Sequence, residues 1–218
     1  MESSNSQETI TNLQFHTKAF WDNFYKNVNK DNYNIDWYFD LTKVKINDFS
    51  LINLSKDEEI LLLGPGLSSI LDYLNNYEFN KVVICDFSKE LKNILSERYN
   101  KEWEIECYDI TTKSFPNEFN TIIDKGCLDC ILSDIKEGET KFITALNNLL
   151  ISLNEDGILY YFSDGKLEDR INLFYQIPQI KYKVSTINMN EFMKDEYREF
   201  SYDDNLYYYI QLQGLHNH

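Results

Sequence analysis

Residues 59–69 read EILLLGPGLSS, and this stretch decides the architecture of the chain. Its first five residues form a short, mostly apolar run that is typical of a buried strand, and the sequence GPG ends the run. Ser68 or Ser69 can cap the segment that follows, whose apolar residues have helical spacing. A buried strand that turns through glycines into a helix predicts the first unit of a parallel α/β sheet.

The same alternation continues along the chain. Further strand-like runs are separated by helical segments and cover residues 81–85, 103–107, 119–124 and 158–162. After residue 178 the helical spacing weakens, and two β-rich runs remain at 182–187 and 206–212. This order predicts an α/β fold whose mostly parallel sheet ends in an antiparallel strand.

Length and charge limit the possible functions. The chain has 218 residues, enough for one domain with one core, and a formal net charge of −15. A negative charge opposes binding to a phosphate backbone, so we expect no nucleic-acid partner. No apolar run approaches the roughly 18 residues of a membrane span, and the first residues lack the pattern of a secretory signal. We therefore expect a cytoplasmic protein without a membrane partner.

Four cysteines, Cys85, Cys107, Cys127 and Cys130, stand mostly in or beside strand-like runs. In a chain of intracellular character, buried reduced thiols are the favoured interpretation. Cys127 and Cys130 form a CxxC pair, but the sequence contains no second such pair, and its three histidines lie near the ends of the chain. We predict no metal site.

Three strand ends carry residues suited to one nucleoside ligand. Gly64 and Gly66 allow a ligand to approach the backbone closely after the first strand. Asp86, at the end of the second strand, can accept hydrogen bonds from both ribose hydroxyls. Asp109, at the end of the third strand, is placed to meet an adenine amino group. Two apolar residues adjoin these carboxylates and can contact the base, Phe87 and Ile110.

The fourth strand runs into residues 124–130, DKGCLDC. This stretch closely resembles the DKGTLDA signature of a eukaryotic subfamily of class I S-adenosylmethionine (SAM)-dependent methyltransferases, which includes enzymes that methylate elongation factor 1-alpha and citrate synthase. Cys127 and Cys130 replace the threonine and the alanine of the signature. FWDNFY at 20–25 and DWYF at 36–39 are similar to the family's YWxxxY and DWFG segments, in the same order.

Two further stretches extend the resemblance. GPGLS at 64–68 corresponds to the family's GCGNS loop, with Pro65 and Leu67 as differences, and DFS at 86–88 matches the segment after the second strand. The resemblance covers roughly residues 18–163, with a looser match at 206–214. It is specific in the DKG stretch and generic elsewhere.

The resemblance implies a Rossmann-like fold with a seven-stranded sheet and helices on both faces. It implies SAM as the cofactor, S-adenosyl-L-homocysteine as its product, and a protein lysine as the acceptor, with a translation elongation factor as a candidate partner. Together with Gly66 from the glycine turn, the expected SAM contacts are Trp21, Tyr25, Trp37, Gly64, Asp86, Phe87, Asp109, Ile110 and Lys125.

Asp124 and Asp129 are candidate groups for positioning the ammonium of the acceptor. For Asp129 the alternative is a cap of the following helix. For the aromatic residues Trp21, Tyr25 and Trp37 the alternative is a helix face packed on the sheet, since Trp21 and Tyr25 stand four positions apart.

The expected domain organisation follows from these assignments. We expect residues 1–15 to form a flexible amino terminus and residues 16–218 to form a single methyltransferase domain. Within the domain, residues 18–55 form an aromatic helical segment, 58–163 the SAM-binding core and 178–214 a β-rich part.

Two other functions remain open at this point. A nicotinamide-dependent dehydrogenase uses the same strand–turn–helix start, but Ser69 stands where its third glycine would be, and the late β-rich runs do not fit it. A binding or regulatory module without turnover is the second alternative, because Pro65 removes a backbone donor from the glycine turn.

For Lys125 we expect that replacement by alanine weakens SAM binding and leaves the melting temperature of the free protein nearly unchanged.

Overall fold

The computed structural model describes residues 14–28, 35–36, 38, 52, 54–77, 79, 81–99, 103–116, 119–163, 165–177, 180–186 and 208–214. Most of the segment predicted to be flexible, residues 1–13, lies outside the described residues. Phe15 is among the described residues, and its ring packs against Phe20 with 5.1 Å between the ring centroids.

Helices and strands alternate along the described residues. The helices are α1 (Lys18–Asn27), α2 (Ile70–Asn76), α3 (Lys89–Arg98), α4 (Cys127–Leu132), α5 (Gly138–Ile151) and α6 (Leu167–Phe174). The strands are β1 (Glu59–Leu63), β2 (Lys81–Asp86), β3 (Glu104–Cys107), β4 (Phe119–Lys125), β5 (Leu153–Ser163), β6 (Ile180–Thr186) and β7 (Tyr208–Gly214). Each strand-like run in the sequence corresponds to one of these strands.

The strands form one sheet in the order β3-β2-β1-β4-β5-β7-β6. β1 to β5 run parallel, and Leu63 at the end of β1 pairs with Cys85 of β2 on one side and with Asp124 of β4 on the other. β7 pairs antiparallel with β5 and with β6. The predicted mostly parallel α/β sheet with a late antiparallel strand is confirmed. Because the strand order reverses at β1, a crevice opens beyond the carboxyl ends of β1 and β4.

The hydrophobic core is divided between the two faces of the sheet. On one face, Ile60 and Leu62 of β1 pack with buried residues of α1, α2 and α3. On the other face, Leu61 and Leu63 pack with buried residues of α4, α5 and α6. Successive residues of a strand point to opposite faces, so a strand covered by helices on both sides must be apolar throughout. The sequence of β1 meets this requirement.

Two local features differ from the sequence prediction. α4 is a short helix that begins inside the DKGCLDC stretch and ends at Leu132, and Asp129, the candidate helix cap, lies within this helix. β5 begins at Leu153, five residues before the strand-like run at 158–162, and its register with β4 shifts near this start. α3 is capped by Ser88, whose Oγ accepts a hydrogen bond from the amide of Leu91. In the described residues, no helix combines the length and apolar character needed to cross a membrane.

Candidate functional site

A pocket opens at the carboxyl ends of the parallel strands, beside the crevice between β1 and β4. Nine of the ten predicted cofactor contacts line it: Trp21, Tyr25, Gly64, Gly66, Asp86, Phe87, Asp109, Ile110 and Lys125. The tenth, Trp37, lies outside the described residues. The fold thus brings residues of the amino-terminal helix together with residues that follow or end four different strands.

The glycine turn after β1 has a backbone conformation that favours glycine. φ is +49° at Gly64 and +58° at Gly66. A Cβ atom at Gly64 would lie 2.6 Å from Sγ of Cys127, and one at Gly66 would lie 3.1 Å from the hydroxyl of Tyr25. The turn therefore presents backbone to the pocket with no side chain between.

Asp86 ends β2 and is buried. Its Oδ1 accepts a hydrogen bond of 2.8 Å from the amide of Ser88. The hydroxyl of Ser88 donates in turn to Asp22 of α1 at 2.6 Å. These bonds fix the Asp86 carboxylate in the pocket wall, where it can accept hydrogen bonds from the hydroxyls of a ligand.

Asp109 stands in a tight turn after β3. Its Oδ1 accepts hydrogen bonds from the amide and the hydroxyl of Thr111, at 2.9 and 2.6 Å, which is an Asx-type turn. Ile110, which lies between Asp109 and Thr111 in sequence, is buried. Its carbonyl accepts a hydrogen bond from Nδ2 of Asn148 in α5 at 2.7 Å. The turn is therefore anchored to α5, with an acidic and an apolar side chain on the pocket.

Trp21 and Tyr25 lie one helical turn apart on α1, and their rings stack with 5.7 Å between centroids. Both are buried in the core on the face of the sheet that α1, α2 and α3 cover, and both line the pocket. The indole N–H of Trp21 donates to the carbonyl of Phe15 at 2.6 Å. Burial, with a contribution from the charge of Asp86, raises the pKa of the Tyr25 hydroxyl well above its usual range, so this hydroxyl keeps its proton. The two interpretations of these aromatics, packing and pocket lining, are compatible.

Lys125 is buried and not a solvated loop charge. Its side chain is 3% exposed and forms an ion pair with Asp36, whose side chain is 5% exposed. Nζ of Lys125 also donates to the hydroxyl oxygen of Ser68 at 2.9 Å. Asp36 accepts further hydrogen bonds from the Ser68 hydroxyl and, at 3.0 Å, from the amide of Ser69. From the sequence alone, the melting temperature is expected to stay nearly unchanged when Lys125 is replaced by alanine. The burial of the ion pair predicts a lower melting temperature instead, because the substitution leaves a buried carboxylate without its cation.

Asp124, a candidate for positioning the acceptor, does not line the pocket in the described part of the chain. Its carboxylate is fully buried and accepts hydrogen bonds from the amides of Cys127 and Leu128, at 3.1 and 3.2 Å. Burial, reinforced by the charge of Asp129, raises the pKa of this carboxyl well above its usual range. Asp124 therefore anchors the start of α4.

Asp129, the second candidate, is also absent from the described pocket lining. Its carboxylate accepts hydrogen bonds from the hydroxyls of Tyr38, at 2.7 Å, and Tyr161, and it forms an ion pair of 2.8 Å with Arg170. These partners come from the segment before β1, from β5 and from α6. Asp129 therefore links these three parts of the chain. This structural role differs from the predicted direct contact with an acceptor.

The four cysteines are free thiols. Burial raises the pKa of the Cys85 and Cys127 thiols well above their usual range, which keeps both protonated. Cys127 and Cys130, the CxxC pair, both line the pocket. No group of three or more metal-binding side chains is found among the residues that the structure describes.

Sequence reasoning missed further pocket residues as functional candidates. Those outside the predicted set are Phe15, His16, Leu63, Pro65, Ser68, Cys85, Tyr108, Thr111, Gly126, Cys127, Cys130, Ile131 and Lys141. Most of them adjoin a predicted residue in sequence. A prediction that included every residue of the turn after each strand would have found them. His16 and Lys141 have no such signal: the His16 ring reaches the pocket from before α1, and Lys141 reaches it from α5.

The ionisation of Asp86 gives a testable dependence on pH. Burial raises its pKa to about 7, opposed by the hydrogen bond from the Ser88 amide. The unfolded chain, with a pKa of about 3.9 at this group, releases the proton at lower pH than the folded state does. We expect this group to lower the free energy of unfolding as pH rises from about 4 to about 7, by up to about 4 kcal/mol.

Urea unfolding of the wild type and of Asp86→Asn, at about pH 5 and about pH 8, measures this contribution. The variant cannot ionise at this position, so its stability should fall less between the two pH values. The same decrease in both proteins would contradict the assignment.

Comparison with known proteins places this geometry in context. No protein-family model matches the chain. It is 24% identical over 128 residues to the eEF1A lysine and N-terminal methyltransferase of Mus musculus, which is 57% of this chain and 18% of that protein. The Homo sapiens protein of the same name is 25% identical over 129 residues, with the same shares. The chain thus spans less than a fifth of the length of these curated relatives.

Several solved structures with a similar fold are methyltransferases. A SAM-dependent methyltransferase of Methanosarcina mazei has a TM-score of 0.55 and 13% identity, covering 75% of this chain and 95% of that one. A TehB-like enzyme of Corynebacterium glutamicum has a TM-score of 0.53 and 14% identity, with 74% and 82% covered. The N-methyltransferase NodS of Bradyrhizobium japonicum, solved with S-adenosyl-L-homocysteine, has a TM-score of 0.53 and 12% identity, with 72% and 79% covered. The chain therefore has the Rossmann-like fold of the class I SAM-dependent methyltransferases, and in sequence it resembles the eEF1A methyltransferases.

Proposed function

We propose that this chain binds SAM and transfers its methyl group to an amine of a protein substrate, namely a lysine side chain. One observation carries the proposal: the Gly64 turn, Asp86 and Asp109 stand at the ends of three neighbouring strands and line one pocket. Neighbouring strands lie about 4.8 Å apart, so the pocket extends on the order of 15 Å from the end of β3 to the end of β4. This span and this order of groups fit an extended ligand made of adenine, ribose and an amino acid.

Each of these residues has a role in the proposal. Asp109 accepts a hydrogen bond from the adenine amino group, and Asp86 accepts hydrogen bonds from the ribose hydroxyls. The turn at Gly64 and Gly66 lets the amino-acid end approach the backbone. Trp21 and neighbouring aromatic residues of α1 exclude water from one side of the pocket.

When bound, SAM supplies a methyl group on a sulfonium sulfur and becomes S-adenosyl-L-homocysteine through in-line displacement. The protein needs no nucleophilic side chain for this reaction, since its tasks are orientation and exclusion of water. The acceptor lysine must lose its proton, and at a pKa of about 10.4 only about one molecule in a few thousand is neutral at neutral pH. Burial of the lysine near a positive charge lowers that pKa and favours the neutral amine.

Sequence similarity and charge support a protein acceptor. The curated relatives are named for methylation of eEF1A, which makes a translation elongation factor the first partner to test. A net charge of −15 favours association with a basic protein surface. In this proposal Asp124 and Asp129 act indirectly, by holding α4 and its neighbours in place.

The proposal is tested by incubating the protein with tritiated SAM and, separately, eEF1A or a cytosolic extract. We expect label in a protein band and, after hydrolysis, in methylated lysine, with little or none from the Asp86→Ala variant. Binding of SAM without label in any fraction would favour the binding module without turnover. Label outside protein would contradict the acceptor class, and binding of NAD in place of SAM would contradict the cofactor.

A further inference from the structure

The ion pair of Asp36 and Lys125 lies directly behind the pocket. Lys125 and Ser68 line the pocket, whereas Asp36 contacts both from outside the described lining. Asp36 comes from the segment before β1, Ser68 from the turn after β1 and Lys125 from the end of β4. The carboxylate thus joins three parts of the chain and places its charge against the buried ammonium.

The ammonium of Lys125 lies close to the turn that follows β1, because it contacts Ser68 of that turn. Its hydrogen bond of 2.9 Å to Ser68 fixes it beside the end of the glycine turn. If ribose is held at Asp86 on β2, the ligand sulfur lies past the ribose, over the end of β1. The ammonium, at the end of the next strand, β4, would then lie within about 5–10 Å of the sulfur.

The charge of the buried Lys125 ammonium affects the binding of SAM and of its product differently. SAM carries a positive charge at sulfur, and its product, S-adenosyl-L-homocysteine, does not. A positive charge near the sulfur repels the sulfonium of SAM, and the product, which has the same amino-acid end but no charge at sulfur, escapes that repulsion. Unless the lysine charge is cancelled, the pocket favours the product over the substrate.

We propose that Asp36 is a positioning residue that sets the preference of the pocket for SAM over S-adenosyl-L-homocysteine, by cancelling the charge of Lys125. This inference rests on the proposed function. Asp36 acts through Lys125 and does not touch the ligand. Because SAM then competes better with the product for the pocket, the ion pair also limits inhibition by the product.

The experiment compares dissociation constants for SAM and S-adenosyl-L-homocysteine by calorimetry. For Asp36→Asn, which keeps the shape and removes the charge, we expect the affinity for SAM relative to the product to fall on the order of tenfold. For Lys125→Met the same ratio should change in the opposite direction, because the remaining carboxylate favours a cation. In the double variant Asp36→Asn/Lys125→Met the ratio should return to within about twofold of the wild type.

A matched control is Asp72→Asn, which also removes a carboxylate paired with a cation, here Arg98 at 2.8 Å, outside the described pocket lining. Its ratio should equal that of the wild type. A purely structural role of Asp36 would weaken both ligands equally and leave the ratio unchanged, and that result overturns the inference. If Asp36→Asn does not fold, Lys125→Met provides the test. A rise in its affinity for SAM relative to the product supports the inference, and a fall or no change overturns it. If the wild type binds neither ligand, the proposed function itself has failed.

Discussion

Replacement of Lys125 by alanine is expected to lower the free energy of unfolding by about 3–5 kcal/mol. The side chains of Lys125 and Asp36 are 3% and 5% exposed, so the substitution leaves a buried carboxylate without its cation. Breaking one partner of a buried ion pair costs far more than the pair itself contributes, since the remaining charge stays away from water. For a domain of this size, the melting temperature should fall by roughly 10 °C.

The matched control for this substitution is Lys81→Ala. Lys81 forms an ion pair of 2.6 Å with Glu59, but the two side chains are 42% and 38% exposed. An exposed pair contributes about 0–1 kcal/mol, so this control should unfold close to the wild-type temperature. Thermal unfolding of the three proteins without ligand provides the measurement. Similar melting temperatures for both variants would show that the Lys125 pair is not buried in solution.

Replacement of Asp86 by alanine is expected to weaken SAM binding about ten- to a hundredfold. Loss of hydrogen bonds from a charged acceptor corresponds to about 1.5–3 kcal/mol, which gives this range. The free protein should remain folded and should not lose stability at about pH 8, because ionisation of this buried carboxyl, with its pKa of about 7, opposes folding. The substitution therefore separates ligand binding from stability.

Calorimetric titration with SAM measures the first effect, and urea unfolding without ligand measures the second. Asp156→Ala serves as a control, since Asp156 is an exposed acidic residue of β5 outside the described pocket lining. Its affinity for SAM should equal that of the wild type. If Asp86→Ala also retains full affinity, the ribose is held by other groups and the ligand has a different orientation in the pocket.

Much of the site was predictable because of how parallel sheets are built. The residues after β1, β2 and β3 must meet at one edge of the sheet, so Gly64, Asp86 and Asp109 could be placed together from their positions in sequence alone. The apolar run of β1 and the helical spacing of α2 predicted the first strand and helix of the layers in the same way. Lys125 was placed in the pocket only through the resemblance of the DKG stretch.

Other features depend on long-range contacts that leave no local signal. Asp36 begins the DWYF stretch at 36–39, but its importance follows from its contacts with Ser68 and Lys125, which are distant in sequence. The burial of Lys125 was therefore missed, and its effect on stability was underestimated. Asp129 was predicted from its motif, but its partners Tyr161 and Arg170 come from elements that only the folded chain brings to it.

The central claim, a SAM site at the carboxyl ends of β1 to β4, is tested most directly by the effect of ligand on thermal unfolding. A ligand bound only by the folded state, at 100 times its dissociation constant, raises the free energy of unfolding by about 2.7 kcal/mol. We therefore expect SAM and S-adenosyl-L-homocysteine each to raise the melting temperature by several degrees, with NAD as the control that does not. No change in the melting temperature with either compound at millimolar concentration would contradict the account.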